Sequence, residues 1–102
     1  MAWHRALAEG DLPVGGYRRV DLGGQPVLVA RLADGCFAVH DTCLHRGASL
    51  AAGALPLEGD EVVCHLHFWR FNVRDGACAQ LPSLRLRRYP VKVEQGGVHV
   101  DL

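Results

Sequence analysis

The clearest pattern of hydrophobic and polar positions lies in the last twelve residues of the chain. Apolar and polar side chains alternate there, with Val91, Val93, Val98, Val100 and Leu102 set against Lys92, Glu94, His99 and Asp101. A period of two predicts strands with one buried and one solvated face. The Gly96-Gly97 pair between the two runs favours a tight turn, so this segment is expected to form a β-hairpin.

Glycine-containing turns divide much of the remaining chain into similar short runs. Gly23-Gly24 separates the run 17–22 from the run 26–32, and Asp34-Gly35 leads into the run 36–40. Two further strands are expected at 61–63 and 70–74. No stretch shows the three-to-four-residue apolar spacing of an amphipathic helix. The sequence therefore predicts an all-β fold of antiparallel strands joined by tight turns.

Length and composition limit the possible architectures and partners. The 102 residues are enough for one domain with its own core, so a single domain over 1–102 is expected. Hydrophobic residues make up 49% and charged residues 22%, which is typical of a folded globular chain. Eleven basic residues balance eleven acidic ones, so no overall field favours binding to nucleic acid or to a membrane surface.

The start of the chain and the cysteine count bear on the cellular compartment in which the protein is expected. The opening residues contain no apolar stretch of the length that a signal peptide or a membrane span needs. The chain is therefore expected to be soluble and cytoplasmic. Four cysteines in a reducing compartment more often bind metal or stay reduced than form disulfides.

Two short cysteine–histidine pairs carry the candidate chemistry. Cys43 and His45 are separated by one residue, Cys64 and His67 by two, and eighteen residues lie between the pairs. A mixed-ligand [2Fe–2S] cluster needs two thiolates on one iron and two imidazoles on the other, so each loop could supply one ligand of each kind. Two thiolates and two imidazoles also suit a tetrahedral zinc ion, which remains an alternative.

The other cysteines and histidines are expected to have structural or surface roles. His65 could compete with His67 as a ligand, but the spacing favours His67. Cys36 is expected to be a small strand residue and Cys78 a loop thiol, with a disulfide between them only under oxidising conditions.

The motifs Cys43-Leu44-His45 and Cys64-His65-Leu66-His67 resemble the signature of Rieske-type ferredoxins. The likeness continues in the first loop, where Gly47, Leu50 and Gly53 match the glycine, leucine and glycine usual in the family. It also extends to three segments after the second motif, namely Phe71 to Gly76, Leu81-Pro82 and Tyr89 to Val91. The resemblance implies an antiparallel β-sandwich base with a small cluster-binding cap formed by the two ligand loops, and a third loop around Pro82 that covers the cluster. It also implies that Cys43 and Cys64 bind the inner iron and that His45 and His67 bind the outer one.

Differences from the family pattern suggest a branch. High-potential Rieske proteins carry an extra cysteine in each ligand loop, where this chain has Ala48 and Leu66. Trp69 and Phe71 stand where those proteins have a serine and a tyrosine that hydrogen-bond the cluster, so a low potential is expected. The segment 67–72 is similar to ferredoxin components of toluene-type monooxygenases, and other features are shared with ferredoxins of aromatic-ring-hydroxylating dioxygenases.

The resemblance implies a one-electron carrier between a flavin-dependent reductase and a terminal oxygenase. The sequence has no glycine-rich phosphate loop and no nucleophilic-serine motif, so no independent active site is expected. Two alternatives stay open, namely the small subunit of an assimilatory nitrite reductase and a zinc-stabilised structural or regulatory module. Arg46, Phe68 and Trp69 are expected to form a partly basic docking rim for an acidic partner, in which Trp69 either shields a histidine edge or packs the cap.

Overall fold

A computed structural model of the protein describes residues 2–45, 47–66 and 68–102. Nine strands and two 3₁₀ turns follow one another along this part of the chain. The strands are β1 Trp3–Ala8, β2 Tyr17–Leu22, β3 Gln25–Leu32, β4 Gly35–His40, β5 Glu61–Val63, β6 Arg70–Asn72, β7 Arg88–Tyr89, β8 Val91–Glu94 and β9 Gly97–Asp101, and the 3₁₀ turns are Glu9–Asp11 and Ala51–Gly53. Among these residues, no helix has the length and apolar character needed to cross a membrane.

The strands form three antiparallel sheets. A four-stranded sheet has the order β2-β3-β4-β7, a three-stranded sheet has the order β1-β9-β8, and β5 pairs with β6. The all-β antiparallel fold predicted from the alternating pattern and the tight turns is therefore confirmed. At one corner the amides and carbonyls of Ala2 and Leu102 bond reciprocally at 3.0 Å, which extends the pairing of β1 with β9.

β3 lies at the centre of the fold because both of its faces are buried. Leu28 and Ala30 face one hydrophobic cluster, which includes residues of β5 and β6. Val27 and Val29 face a second cluster, which includes Val98 and Val100 of β9. A strand covered on both sides carries a nearly continuous apolar run, as β3 does. The four-stranded sheet therefore separates β5, β6 and their loops from the three-stranded sheet.

The predicted hairpins are present, with small corrections to their turns. Leu22 pairs with Gln25 across Gly23-Gly24, as predicted. In the last hairpin Glu94 pairs with Gly97, so the turn is Gln95-Gly96 and not Gly96-Gly97. Both Gln95 and Gly96 have positive φ, which is the backbone geometry of a type I′ turn.

Two features of the three-stranded sheet differ from the sequence pattern. Val93 was expected on the buried face, but it is 41% exposed because β8 is an edge strand and Val93 lies close to its turn. The pattern also missed β1, whose alternation is interrupted by a register shift between Arg5 and Leu7. Such a bulge moves the following side chains to the opposite face, so a strict period of two fails.

Candidate functional site

The first motif lies in the loop that follows β4. The amide of Cys43 donates to the carbonyl of Ala48 at 2.7 Å, and the amide of Gly47 donates back to the carbonyl of Cys43 at 2.6 Å. These two bonds close a narrow loop over 43–48, in which Gly47 has a φ of 73°. The side chain of Cys43 is turned into the core, whereas His45 is exposed at the tip.

The second motif lies between β5 and β6 and has the same backbone closure. The amide of Cys64 donates to the carbonyl of Trp69 at 2.8 Å, and the amide of Phe68 donates to the carbonyl of Cys64 at 2.8 Å. Phe68 has a φ of 62° and occupies the position equivalent to Gly47. The two loops are therefore built on one hydrogen-bonding pattern, which accounts for the matching placement of their cysteines.

The structure brings the two cysteines into one apolar environment. Cys43 and Cys64 are both buried and belong to a single hydrophobic cluster that includes Leu50, Val62 and Phe71. The imidazole of His45 stacks on the indole of Trp69, with ring centroids 4.2 Å apart and planes inclined by 3°. Trp69 therefore fulfils both roles expected for it, since it also packs against the core. Two of the predicted site residues, His67 and Arg46, lie outside the described residues.

A close contact joins the two loops. A β-carbon added at Gly53 would lie 2.3 Å from Cβ and 2.5 Å from Cγ of His65, so the glycine leaves the space that this imidazole occupies. His65 follows Cys64 directly, and Gly53 ends the 3₁₀ turn after the first loop. His65 thus packs against the neighbouring loop. Its Nδ1 is buried, without a hydrogen-bond partner among the described residues.

Asp41 anchors the first loop from inside. Its carboxylate is 1% exposed and accepts hydrogen bonds from the Ser49 hydroxyl and, at 3.0 Å, from the Ala51 amide. The guanidinium of Arg19 on β2 lies 3.7 Å from the same carboxylate. Sequence reasoning did not single out Asp41, because its bonding partners are eight and ten residues further along the chain.

Two arginines that are close to the second ligand loop in sequence are paired with acidic side chains. Arg70 lies 2.7 Å from Glu58, and Arg74 lies 2.7 Å from Asp34. Exposed apolar side chains also stand on both loops and on the segment before Pro82, at Leu44, Leu66, Phe68 and Leu81. These exposed apolar side chains are called the apolar tip below, and the predicted rim stays a prediction because its basic residue, Arg46, lies outside the described residues.

The left-handed backbone at Phe68 predicts a measurable strain. This conformation costs a residue other than glycine about 1–2 kcal/mol. Glycine avoids that cost, but its greater conformational freedom in the unfolded chain offsets part of the stabilisation. Phe68→Gly is therefore expected to raise the free energy of unfolding by about 0.5–1 kcal/mol, since the side chain is 63% exposed and packs little. Gly47→Ala, the same position of the other loop, should lower it by about 1 kcal/mol. Chemical denaturation of both variants measures this, and a loss of stability in Phe68→Gly would contradict it.

The two remaining cysteines form no disulfide with each other or with another residue. Cys78 is buried, whereas Cys36 is half-buried and lines a cleft beside Tyr89 and Arg88. Burial raises the pKa of the Cys36 thiol, because it disfavours the thiolate. The roles expected for these two residues agree with this placement.

The raised pKa of Cys36 predicts slow alkylation. The thiolate is the nucleophile, so iodoacetamide at pH 7 should modify this chain more slowly than it modifies glutathione. The rate should still be rising with pH above the ordinary range of a cysteine thiol, and mass spectrometry should find the label on Cys36. Cys36→Ala is the control and should remain unlabelled. Labelling of Cys36 at pH 7 as fast as that of glutathione would contradict the expectation.

The donor set fits a group that needs thiolates inside and imidazole outside. Two buried thiols stand on matching loops, and the described imidazole stands at the surface. No three histidine, cysteine or acidic side chains among residues 2–45, 47–66 and 68–102 are grouped closely enough for one metal ion. A [2Fe–2S] group divides its four protein ligands between two irons, and when bound it accepts and releases a single electron.

Comparison with protein families and curated proteins gives a consistent result. The family model of the Rieske [2Fe-2S] domain matches residues 2–90. The ferredoxin component of biphenyl 2,3-dioxygenase from Rhodococcus jostii (strain RHA1) is 40% identical over 103 residues, covering 100% of this chain and 94% of that protein. Ferredoxin CarAc from Metapseudomonas resinovorans is 38% identical over 100 residues, covering 96% of this chain and 92% of that protein.

Solved structures show the same fold. A chain in the complex of reduced oxygenase and oxidized ferredoxin of carbazole 1,9a-dioxygenase superposes with a TM-score of 0.85 at 36% identity, covering 96% of this chain and 91% of that one. The terminal oxygenase of carbazole 1,9a-dioxygenase from Novosphingobium sp. KA1 superposes with a TM-score of 0.88 at 25% identity, covering 96% of this chain and 29% of that one. On these grounds the chain belongs to the Rieske [2Fe-2S] family, binds a [2Fe–2S] cluster, and acts as an electron-carrying ferredoxin without an active site of its own.

Proposed function

We propose that Cys43 and Cys64 bind the inner iron and that His45 and His67 bind the outer iron. Support for the cysteines comes from their burial in one cluster on two loops with the same closure. Support for His45 comes from its place at the exposed tip of the first loop. His67 rests on the spacing of the second motif and on the family resemblance.

The proposed role is to carry one electron from a flavin-dependent reductase to the terminal oxygenase of an aromatic-ring dioxygenase system. The observation that carries it is the apolar tip around a histidine stacked on Trp69. Exposed apolar side chains suit a small, transient interface of the kind electron carriers form. The relative from Rhodococcus jostii is the ferredoxin component of a dioxygenase, and the match covers 94% of that protein. This similarity supports the choice of acceptor.

The residues 1–102 are proposed to act as one Rieske domain. β8 and β9 extend beyond the family match and complete the sheet with β1, which supports their inclusion. The cytoplasmic location stays a prediction from the sequence. The comparisons do not favour the nitrite reductase subunit or the zinc-stabilised module, because the relatives reported above are ferredoxins, one of them a component of biphenyl 2,3-dioxygenase.

The ligand assignment is tested on protein purified without oxygen. We expect about two irons and two acid-labile sulfides per chain, and a dithionite-reduced EPR spectrum characteristic of nitrogen ligation to one iron. Cys43→Ser and Cys64→Ser should lose this signal, whereas Cys36→Ser and Cys78→Ser should keep it. Zinc in place of iron, or a full cluster in Cys43→Ser, would overturn the assignment.

The partner proposal is tested by electron transfer between purified components. With a flavin reductase and an oxygenase of a biphenyl or carbazole system, Leu66→Asp should slow transfer while leaving the EPR spectrum unchanged. Val93→Asp is the matched control, because Val93 is similarly exposed but lies on the three-stranded sheet. Equal rates for the two variants would show that the apolar tip is not the docking surface.

A further inference from the structure

Asp41 is the one buried charged residue among those that the structure describes. Its two carboxylate oxygens accept from the Ser49 hydroxyl and the Ala51 amide, which lie on either side of Leu50. Leu50 is fully buried in the same cluster as Cys43 and Cys64. The Asp41 carboxylate, which only hydrogen-bond donors face, therefore lies behind the first ligand loop, where the surrounding side chains exclude most of the water.

Arg19 is the counterion of this buried charge. It reaches Asp41 from β2 at 3.7 Å, and it also contacts the exposed Asp21 at 3.1 Å. The guanidinium is 43% exposed, so water screens its charge more than that of the buried carboxylate. Tyr17, two residues earlier on β2, responds to the same field, since burial and then the charge of Asp41 raise its pKa.

We propose that the Asp41 carboxylate lowers the reduction potential of the cluster, and that Arg19 partly offsets this effect. Reduction adds one electron to the metal site and therefore one negative charge. A nearby buried anion makes that step less favourable, and a nearby cation makes it more favourable. The inference rests on the proposed assignment of Cys43, because that ligand places the inner iron next to the first loop.

Asp41 also holds the loop in shape, and the two roles predict different results. A loosened loop would move the potential in the same direction whether Asp41 or Arg19 is changed. A charge effect moves it in opposite directions. Asp41→Asn keeps an oxygen that can accept from the Ala51 amide but removes the charge, so it should raise the potential. Arg19→Gln leaves the carboxylate without its cation and should lower the potential.

The controls lie on the same strand. Arg18→Gln removes a neighbouring arginine that bonds to the Asp11 carbonyl, and it should leave the potential unchanged because consecutive strand residues face opposite ways. Asp21→Asn removes the exposed partner of Arg19 and should also have little effect. Arg19→Lys keeps the positive charge and should retain most of the wild-type potential.

The measurement is a redox titration at one pH on variants whose reduced EPR spectrum matches that of the wild type, which confirms that the ligand set is intact. Asp41→Asn should favour reduction by about tenfold, or ~59 mV for a one-electron couple, and Arg19→Gln should disfavour it by less. Shifts of the same sign, or no shift in either variant, would overturn the proposal. If Asp41→Asn does not retain the cluster, the reduction potentials of Arg19→Gln and Arg19→Lys are compared instead. A lower potential in Arg19→Gln supports the proposal, and equal potentials overturn it. A changed EPR ligand signature in the wild type would instead contradict the proposed function.

Discussion

Replacing Gly53 by alanine should remove most of the iron from the protein while leaving the sheets folded. The new methyl group would lie 2.3 Å from Cβ and 2.7 Å from Nδ1 of His65, so either the 3₁₀ turn or the second loop must move. Overpacking of this kind costs about 1–3 kcal/mol or more. Because His65 adjoins Cys64, the displacement should separate the two cysteines and weaken the site before the rest of the fold.

Iron content per chain and the visible absorption of the cluster measure this effect, with far-UV circular dichroism as the check on folding. We expect less than about half of the wild-type iron. Gly10→Ala is a matched control, because a β-carbon there meets no atom within 4 Å. Adding His65→Gly to Gly53→Ala should restore part of the iron, since it removes the atoms that clash. Full iron in Gly53→Ala would show that the contact between the loops does not hold the site together.

Phe71→Ala is expected to cause the largest loss of global stability. Phe71 is fully buried and belongs to the cluster that contains both cysteines. Removing a buried phenylalanine side chain costs about 3–5 kcal/mol. In a domain of this size each kcal/mol changes the melting temperature by about 4–8 °C, so a decrease of at least about 12 °C is expected. Iron should also be released faster, because the thiols lose part of their packing.

Phe37→Ala is the control for this prediction, and calorimetry of both variants is the measurement. Phe37 is only half-buried, at the edge of the same cluster, with the guanidinium of Arg74 5.0 Å from its ring centroid. Phe37→Ala should lower the free energy of unfolding clearly less than Phe71→Ala does. If Phe71→Ala does not fold, Phe71→Leu should still melt below Phe37→Ala. Equal losses at the two positions would mean that the cluster is not the main core of the fold.

Local signals in the sequence were enough for the hairpins, apart from a one-residue shift of the last turn, whereas the ligand assignment stays a prediction. The Gly23-Gly24 turn and the apolar run of β3 depend on neighbouring residues, and they are where the pattern places them. The spacing of the motifs groups their two cysteines, and both are buried in the same cluster, while their role as iron ligands stays a prediction. Each of these features depends on residues that are close together in the sequence.

The features that the sequence did not indicate depend on contacts between distant residues. Arg74 is one example, since Asp34, forty positions earlier, binds its guanidinium with two hydrogen bonds. The contact of Gly53 with His65 and the bonds of Asp41 to Ser49 and Ala51 likewise appear only once the loops are folded. Spacing identifies which side chains could bind iron, whereas the support around them requires the fold.

The reciprocal bonds between Ala2 and Leu102 have a consequence for modular assembly. They bring both ends of the described chain to one corner, beside the three-stranded sheet and across the central sheet from the ligand loops. A polypeptide continuing from either end would leave the domain away from the ligand loops. The same fold can therefore be joined in series to a larger unit, as in the oxygenase chain that contains it, without covering the proposed docking surface.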